Sequence, residues 1–116
     1  MAEGTKNTGR GNSGRGKQKP VVVSDMGRLQ PQARELEEAV LGALMLEKDA
    51  YSIISEILKP ECFYEKSHEM IYASIVDLAA SQRPVDMLTV TEQLRKRGEL
   101  DQVGGPFYIS QLTSKV

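Results

Sequence analysis

The sequence predicts an all-α fold, a compact orthogonal bundle of about five helices, and three observations carry this prediction. The stretch from Leu36 to Leu46 is almost wholly apolar after Glu38, with apolar residues at the three- and four-residue spacing of a packed helix. Residues that begin and end helices recur at short intervals after it. No stretch alternates polar and apolar residues over five or more positions, as a half-buried strand would.

Composition limits the chain to one small domain. It has 116 residues, no tryptophan and 5% aromatic residues, so its core must be built mainly from aliphatic side chains. The single cysteine, Cys62, excludes an internal disulfide and suits a reducing compartment. No apolar run approaches the roughly 20 residues of a membrane-spanning helix, and the N-terminus lacks the apolar core of a signal peptide. We therefore predict a soluble cytoplasmic protein.

Residues 1 to 28 are predicted to be a disordered basic tail, outside a folded domain at residues 29 to 116. The first twenty residues are rich in Gly, Ser and Asn and carry five basic residues against one acidic residue, a net charge of +4. Because the whole chain has a net charge of −1, the remainder carries −5. The tail could contact nucleic acid loosely or serve as a solvated arm, and we favour the second interpretation.

One pattern in this tail imitates a nucleotide-binding loop. The spacing of Gly11, Gly16 and Lys17 matches that of a phosphate-binding loop. The next residue, Gln18, has no hydroxyl for Mg²⁺, no strand precedes the pattern, and Pro20 blocks the helix that should follow. We interpret the match as chance in a glycine-rich segment.

The first helix is predicted to begin near Pro31, to end near Glu47 and to lie at the centre of the bundle. Gly42 within it indicates the close approach of another backbone. We interpret Glu37 and Glu38 as solvated surface residues rather than an acid–base pair. The apolar residues cover more than one face of the helix: Leu36, Ala39, Val40, Leu41, Ala43, Leu44 and Met45.

The second helix is predicted to follow an N-cap at Asp49 and to end at Pro60. The connection after it is expected to insert Phe63 into the core as an anchor. Ser67 is predicted to cap the third helix, whose apolar residues recur with helical spacing from Ile71 onward. One side of the second helix would be lined by Tyr51, Ile54, Ile57 and Leu58.

Two further helices complete the bundle. Asp86 is predicted to cap the fourth, and Gly98 to be the left-handed residue after its end. The glycines Gly104 and Gly105 interrupt the chain before Pro106 opens the fifth helix. The apolar positions of these helices are Leu88, Val90 and Leu94 in the fourth and Phe107, Ile109 and Leu112 in the fifth.

The sequence contains no recognisable catalytic or metal-binding constellation. His68 has no second histidine or cysteine at metal-ligand spacing, and Cys62 has no histidine or lysine beside it to activate the thiol. We interpret both as structural and find no basis for an enzyme. A protein-interaction domain and a small DNA-binding domain remain. The DNA-binding alternative is weakened by the acidic body and would use a recognition helix with Gln93, Arg95, Lys96 and Arg97.

Four segments carry a family resemblance between Leu29 and about Leu112: LQPQARELEEAVLGALML, EILKPECFY, HEMIYASIVDLAASQRPVDMLTVTEQLRKRGEL and VGGPFYISQL. Their features are Glu37 before Val40-Leu41-Gly42, the turn from Pro60 to Phe63, His68 opening a helix, Val85-Asp86 before Thr89-Val90, and Gly98 before Gly104-Gly105. In combination these features resemble the N-terminal domain of DnaB-type bacterial replicative DNA helicases.

The resemblance implies a parent protein with a RecA-like motor that uses ATP and Mg²⁺ to unwind DNA. It also implies a ring of six subunits, with a collar of N-terminal domains on which DnaG-type primase docks. Since this chain stops where the family's helical head ends, we expect a fragment without cofactors or helicase activity. Its implied partners are other helicase subunits and primase in the bacterial replisome, with DNA bound through the absent motor.

A domain of this kind would act through contact, and an excess of apolar residues indicates where such a contact lies. The stretch from Leu41 to Met45 and the third helix carry more apolar residues than one core face needs. As a hypothesis, these helices supply a subunit-pairing surface. The predicted contact residues are Leu41, Met45, Tyr72 and Val76.

Overall fold

The computed structural model describes residues 31 to 115; the predicted tail at residues 1 to 28 lies outside the described residues. No strand occurs between residues 31 and 115, and the predicted all-α class with five helices is confirmed. A 3-10 turn at Pro60–Cys62 precedes the third helix. The helices are α1 (Pro31–Leu46), α2 (Ala50–Ile54), α3 (Lys66–Ala80), α4 (Met87–Lys96) and α5 (Gly105–Thr113).

The first helix, α1, lies at the centre of the bundle as predicted, since it contacts each of the other four helices. Leu41, Leu44 and Met45 point from it into the core and are buried. Leu36 was wrongly included in the packed stripe: it is 65% exposed, because it lies about 140° around the helix from Leu41. Leu46 is also exposed. The outer face of α1 therefore keeps large apolar side chains in solvent.

One apolar core joins the helices and the connections between them. Phe63 is buried in it, as predicted, and the centre of its ring lies 5.1 Å from that of Tyr72. The Tyr72 hydroxyl donates a hydrogen bond to the Leu58 carbonyl (2.9 Å), which attaches the connection after α2 to α3. The buried apolar residues are Leu41, Leu44, Met45, Phe63, Ile71, Tyr72, Ile75, Leu78, Val90, Leu94, Leu100, Val103, Ile109 and Leu112.

The second helix is much shorter than predicted and ends at Ile54 rather than at Pro60. Asp49 precedes it with φ −98° and ψ 1°, outside the extended conformation of a typical N-cap, and its carboxylate caps no backbone N–H. None of the five residues of α2 is buried, so little packing stabilises a longer helix. Ile57, predicted to line its packed side, is instead exposed.

The third helix begins at Lys66, so the prediction that Ser67 caps it is wrong. Its N-cap residue is Glu65, whose own side chain makes no capping hydrogen bond. The Glu37 carboxylate of α1 instead accepts the backbone N–H of Tyr64 at 2.7 Å and that of Glu65 at 3.4 Å. A side chain from another helix thus fixes where α3 starts, and local sequence patterns could not reveal this.

The ends of α4 match the prediction. The Asp86 carboxylate accepts the Thr89 N–H at 2.9 Å, and the Thr89 hydroxyl accepts the Asp86 N–H at 2.9 Å, a reciprocal capping box. Gly98 follows the helix with φ +72°, the left-handed conformation expected there. Leu88 has no place in the core and is exposed.

We expect Asp86→Ala to lower the free energy of unfolding by about 1 kcal/mol, because the first turn of α4 loses its side-chain cap. Asp49→Ala provides the matched control, since the Asp49 carboxylate makes no capping bond, and should change stability by less than about 0.5 kcal/mol. Urea denaturation followed by circular dichroism measures both. Equal losses in the two variants would contradict the assignment.

The fifth helix begins at Gly105 and contains Pro106 in its first turn, close to the predicted start. Gly104, before it, has φ +113°, and a Cβ atom built there would lie 2.8 Å from the Tyr108 Cβ. Only glycine meets both conditions without strain. Phe107, predicted among the apolar positions of this helix, points outward and is exposed, while Ile109 is buried. Tyr108 turns its hydroxyl toward α1 and α3.

Candidate functional site

Four polar side chains from three helices form a chain of hydrogen bonds inside the bundle. The Glu37 Oε1 lies 2.7 Å from the His68 Nδ1, and the His68 Nε2 lies 2.7 Å from the Tyr108 hydroxyl. That hydroxyl donates to the Glu38 Oε2 at 2.8 Å. His68 is fully buried and Glu38 is 5% exposed. We call these four residues the buried network; it joins α1, α3 and α5 at one point.

Two basic side chains lie at the edge of the buried network. Arg34 contacts Glu65 at 2.8 Å and Glu38 at 3.7 Å, and the Lys115 Nζ lies 3.4 Å from the Glu38 Oε1. Burial acts to raise the pKa of Glu38, but the Tyr108 hydrogen bond and the positive charges of Lys115 and Arg34 together lower it. Glu38 is therefore an ionised, buried carboxylate.

The prediction that Glu37 and Glu38 form solvated surface is wrong. Glu38 is buried, and the Glu37 carboxylate accepts hydrogen bonds from two backbone N–H groups and contacts His68. The spacing along α1 places both residues at the edge of the apolar stripe. At that position a side chain can face either solvent or the interior, and the spacing does not decide between them. The one available signal was indirect: a lone His68 in an apolar helix needs partners for its ring nitrogens when it is buried.

We expect the stabilisation from Glu38 to be lost in acid. Because the folded-state pKa of Glu38 lies below the ordinary glutamate value of 4.5, its contribution is present above that pH and disappears as the pH falls through the lower folded value. Glu38→Gln should cost about 1.5 to 3 kcal/mol near neutrality, and the difference from the wild type should shrink below pH 4.5. Chemical denaturation at several pH values measures it. A difference that grows on acidification would contradict this assignment.

The buried network offers no free group for chemistry. Both ring nitrogens of His68 are engaged, and within residues 31 to 115 no group of three His, Cys, Asp or Glu side chains could hold a metal ion. Cys62 is exposed, and its Sγ accepts the Lys59 N–H at 3.5 Å.

None of the helices in this part of the chain is long and apolar enough to cross a membrane.

An apolar groove of about 240 Å³ lies between α1 and the connection before α3. Leu36 forms an exposed wall of it, and Cys62 and Phe63 form the opposite side. The one charged residue in the lining is Glu37, whose carboxylate is bound to His68 and to the backbone before α3. The lining residues of this α1 groove are Ala33, Leu36, Glu37, Val40, Leu58, Cys62 and Phe63.

A second depression, of about 530 Å³, lies where α1 ends and where the loop after α3 passes α2. Its lining mixes apolar side chains such as Leu46 and Val85 with charged ones. We call it the mixed cleft; its charged residues are Lys48, Asp49, Arg83 and Asp86.

The structure changes the assignment of three of the four predicted contact residues. Leu41 and Tyr72 are fully buried, and Met45 is 5% exposed at the wall of the mixed cleft. Val76 is partly buried against the core. Leu41, Met45 and Tyr72 are therefore core residues, whereas Val76 lies at the edge of the core and stays a predicted contact residue. The large exposed side chain of α1 that lines the groove is Leu36. It lies on a different face of the helix from the predicted residues Leu41 and Met45.

Two of the three basic side chains at the C-terminal end of α4, those of Arg95 and Arg97, are paired with carboxylates, while Lys96 is exposed. Arg95 contacts Glu92 at 2.6 Å, and Arg97 contacts Glu99 at 3.0 Å as well as Asp77. Burial acts to lower the pKa of Arg97, but the Glu99 and Asp77 carboxylates raise it. These carboxylates offset the positive charge that a DNA-binding helix needs, so the structure does not favour the DNA-binding alternative.

The described residues form a small helical domain. The family described as "DnaB-like helicase N terminal domain" matches residues 29–116, which is most of the chain. The chain belongs to this family. Its resemblance to the DnaB-type N-terminal domain, inferred from the four segments, is thereby confirmed.

Named relatives agree with this family. The chain is 52% identical over 90 residues to the replicative DNA helicase DnaB of Rhodothermus marinus, covering 78% of this chain and 10% of that protein. It is 42% identical over 89 residues to the replicative DNA helicase DnaC of Bacillus subtilis, covering 77% and 20%. The chain thus spans a fifth or less of the length of these two relatives.

A solved structure has the same fold. The crystal structure of the N-terminal domain of DnaB helicase from Mycobacterium tuberculosis matches with a TM-score of 0.72 and 39% sequence identity. The match covers 76% of this chain and 61% of that one.

Proposed function

We propose that this chain is the non-catalytic collar domain of a bacterial replicative DNA helicase, and that it mediates contacts between helicase subunits and supports docking of a DnaG-type primase. In this proposal, unwinding of DNA with ATP and Mg²⁺ belongs to a motor region of the longer helicase, in a hexameric ring in the cytoplasm. The α1 groove is the observation that supports the subunit-contact role. It is an exposed apolar surface on a domain whose family consists of helicase N-terminal domains.

The occupant we propose for the α1 groove is a second copy of this chain. Leu36 projects into solvent beside a groove lined almost wholly by apolar side chains. A protruding side chain next to an apolar depression allows a two-fold arrangement, in which Leu36 of each copy enters the groove of the other. The single charged lining residue is Glu37, and its carboxylate is already hydrogen-bonded within its own chain. Pairing of two copies would therefore bury no unpaired charge.

Association through this surface alone should be weak. A stable interface buries at least about 1,200 Å² in total and involves about 20 to 30 residues on each side, whereas seven residues line this groove. We therefore expect a concentration-dependent dimer of the isolated chain at high micromolar concentration, and stronger pairing where several subunits are held together.

Sedimentation equilibrium tests the proposed pairing. Leu36→Glu should abolish the dimer, because it places an unpaired carboxylate in the apolar contact. Leu88→Glu is the matched control, since Leu88 is 73% exposed and does not line the groove, and it should dimerise like the wild type. A strictly monomeric wild type at high micromolar concentration would overturn the pairing, and so would equal loss in both variants.

The mixed cleft is the surface we propose for primase. The cleft combines apolar side chains with side chains of both charges. Such a lining favours a different protein that binds reversibly over a second copy of this chain. Arg83→Glu, which reverses an exposed charge in the cleft, should weaken binding of purified primase roughly tenfold or more. Arg95→Glu, an exposed charge outside the cleft, is the control. Equal binding by both variants would contradict the assignment.

A further inference from the structure

The protonation state of His68 follows from counting hydrogens in the buried network. The Glu37 carboxylate already accepts the backbone N–H groups of Tyr64 and Glu65. An ionised carboxylate has acceptor sites and no hydrogen to give, so the 2.7 Å contact with the His68 Nδ1 requires a hydrogen on that nitrogen. The first ring nitrogen of His68 is therefore a donor.

The second ring nitrogen faces a hydroxyl whose hydrogen is already used. Tyr108 has one hydroxyl hydrogen and donates it to Glu38 at 2.8 Å. Burial, and then the bond to Glu38, raise the pKa of Tyr108, so the hydroxyl keeps that hydrogen, while the lowered pKa of Glu38 keeps the acceptor ionised. Towards the His68 Nε2, at 2.7 Å, the Tyr108 oxygen can only accept.

We propose that His68 carries a hydrogen on both ring nitrogens in the folded chain, as a buried imidazolium that holds α1, α3 and α5 together. The cation lies between the Glu37 carboxylate and Tyr108, which is itself bound to the Glu38 carboxylate. The remaining charged groups around the network are Arg34 from α1, Glu65 before α3, and Lys115 after α5.

This charge state makes the attachment of α5 depend on one proton. A neutral ring that keeps its Nδ1 hydrogen for Glu37 would turn an unprotonated Nε2 toward the Tyr108 oxygen. The Tyr108 hydroxyl would then have to rotate toward His68 and give up its bond to Glu38. Without that rotation, no hydrogen would lie between the His68 Nε2 and the Tyr108 oxygen. In either case α5 loses one hydrogen bond, to His68 or to Glu38. The hydrogen on the His68 Nε2 therefore lets Tyr108 keep its hydrogen bonds to both His68 and Glu38.

Nuclear magnetic resonance of the imidazole nitrogens tests the proposal directly. His68 is the only histidine, so an untagged chain gives one set of ring signals that needs no further assignment. At about pH 7, where a free imidazole is mostly neutral, we expect both nitrogens to resonate at the protonated position. A spectrum with one nitrogen at the unprotonated position would overturn the proposal.

Substitutions of the network partners should move the hydrogen. Glu38→Leu removes the acceptor of the Tyr108 hydroxyl, which frees the hydroxyl hydrogen for the His68 Nε2 and makes the ring neutral. In Tyr108→Phe the Nε2 loses its acceptor, with the same expected change. Arg95→Gln alters a charge outside the network and should leave both signals unchanged. A ring that stays doubly protonated in folded Glu38→Leu would contradict the hydrogen count, and the wild-type spectrum decides the matter if the variants do not fold.

Discussion

Replacing His68 by alanine is expected to lower the free energy of unfolding by about 3 to 5 kcal/mol. The side chain is fully buried and contacts both Glu37 and Tyr108 at 2.7 Å, so its removal leaves a charged carboxylate and a hydroxyl without their shared partner. It also removes the hydrogen bonds that join α3 to α1 and to α5 in the buried network. Urea denaturation at neutral pH, followed by far-ultraviolet circular dichroism, measures the loss.

The control for this variant is Lys66→Ala in the same turn of α3. The Lys66 side chain is 76% exposed and its contact with Glu69, at 3.5 Å, is a surface ion pair. Its removal should change stability by less than about 1 kcal/mol. A loss below about 1 kcal/mol for His68→Ala would mean that the network contributes no more than a surface ion pair, and it would contradict the role of His68 as a buried link between three helices.

The second large effect is expected from Leu41→Ala, at about 2 to 5 kcal/mol. Leu41 is fully buried in the central helix, and truncation leaves a cavity between α1 and the helices around it. Leu36→Ala is a matched control, because it is the same substitution in the same helix at an exposed site. It should change stability by less than about 0.5 kcal/mol. Similar losses in the two variants would show that the inner face of α1 has been assigned wrongly.

The sequence was sufficient for the fold because its signals are local. The apolar run of α1, the Asp86 cap and the left-handed Gly98 each depend on residues within one or two helical turns, and each is where it was predicted. Prediction failed where a distant partner decides the structure. Ser67 resembled a cap, but α3 begins at Lys66, where the distant Glu37 carboxylate binds the preceding backbone.

The candidate site was harder to predict for the same reason. Helical periodicity identifies apolar residues but does not say which of two apolar faces turns inward, and so it placed Leu41 and Met45 on the pairing surface. The α1 groove needs the connection before α3 to lie beside Leu36, a long-range contact that no short pattern encodes. The buried network likewise depends on a Tyr108 that lies 40 residues from His68.

The most direct test of the subunit-contact role uses the single cysteine as a reporter. Cys62 is exposed and lines the α1 groove, so its rate of alkylation measures access to that surface without any further substitution. We predict that this rate falls as the concentration of the chain rises, and that Leu36→Glu removes the protection. An alkylation rate that is the same at all concentrations in the wild-type chain would contradict pairing through the groove.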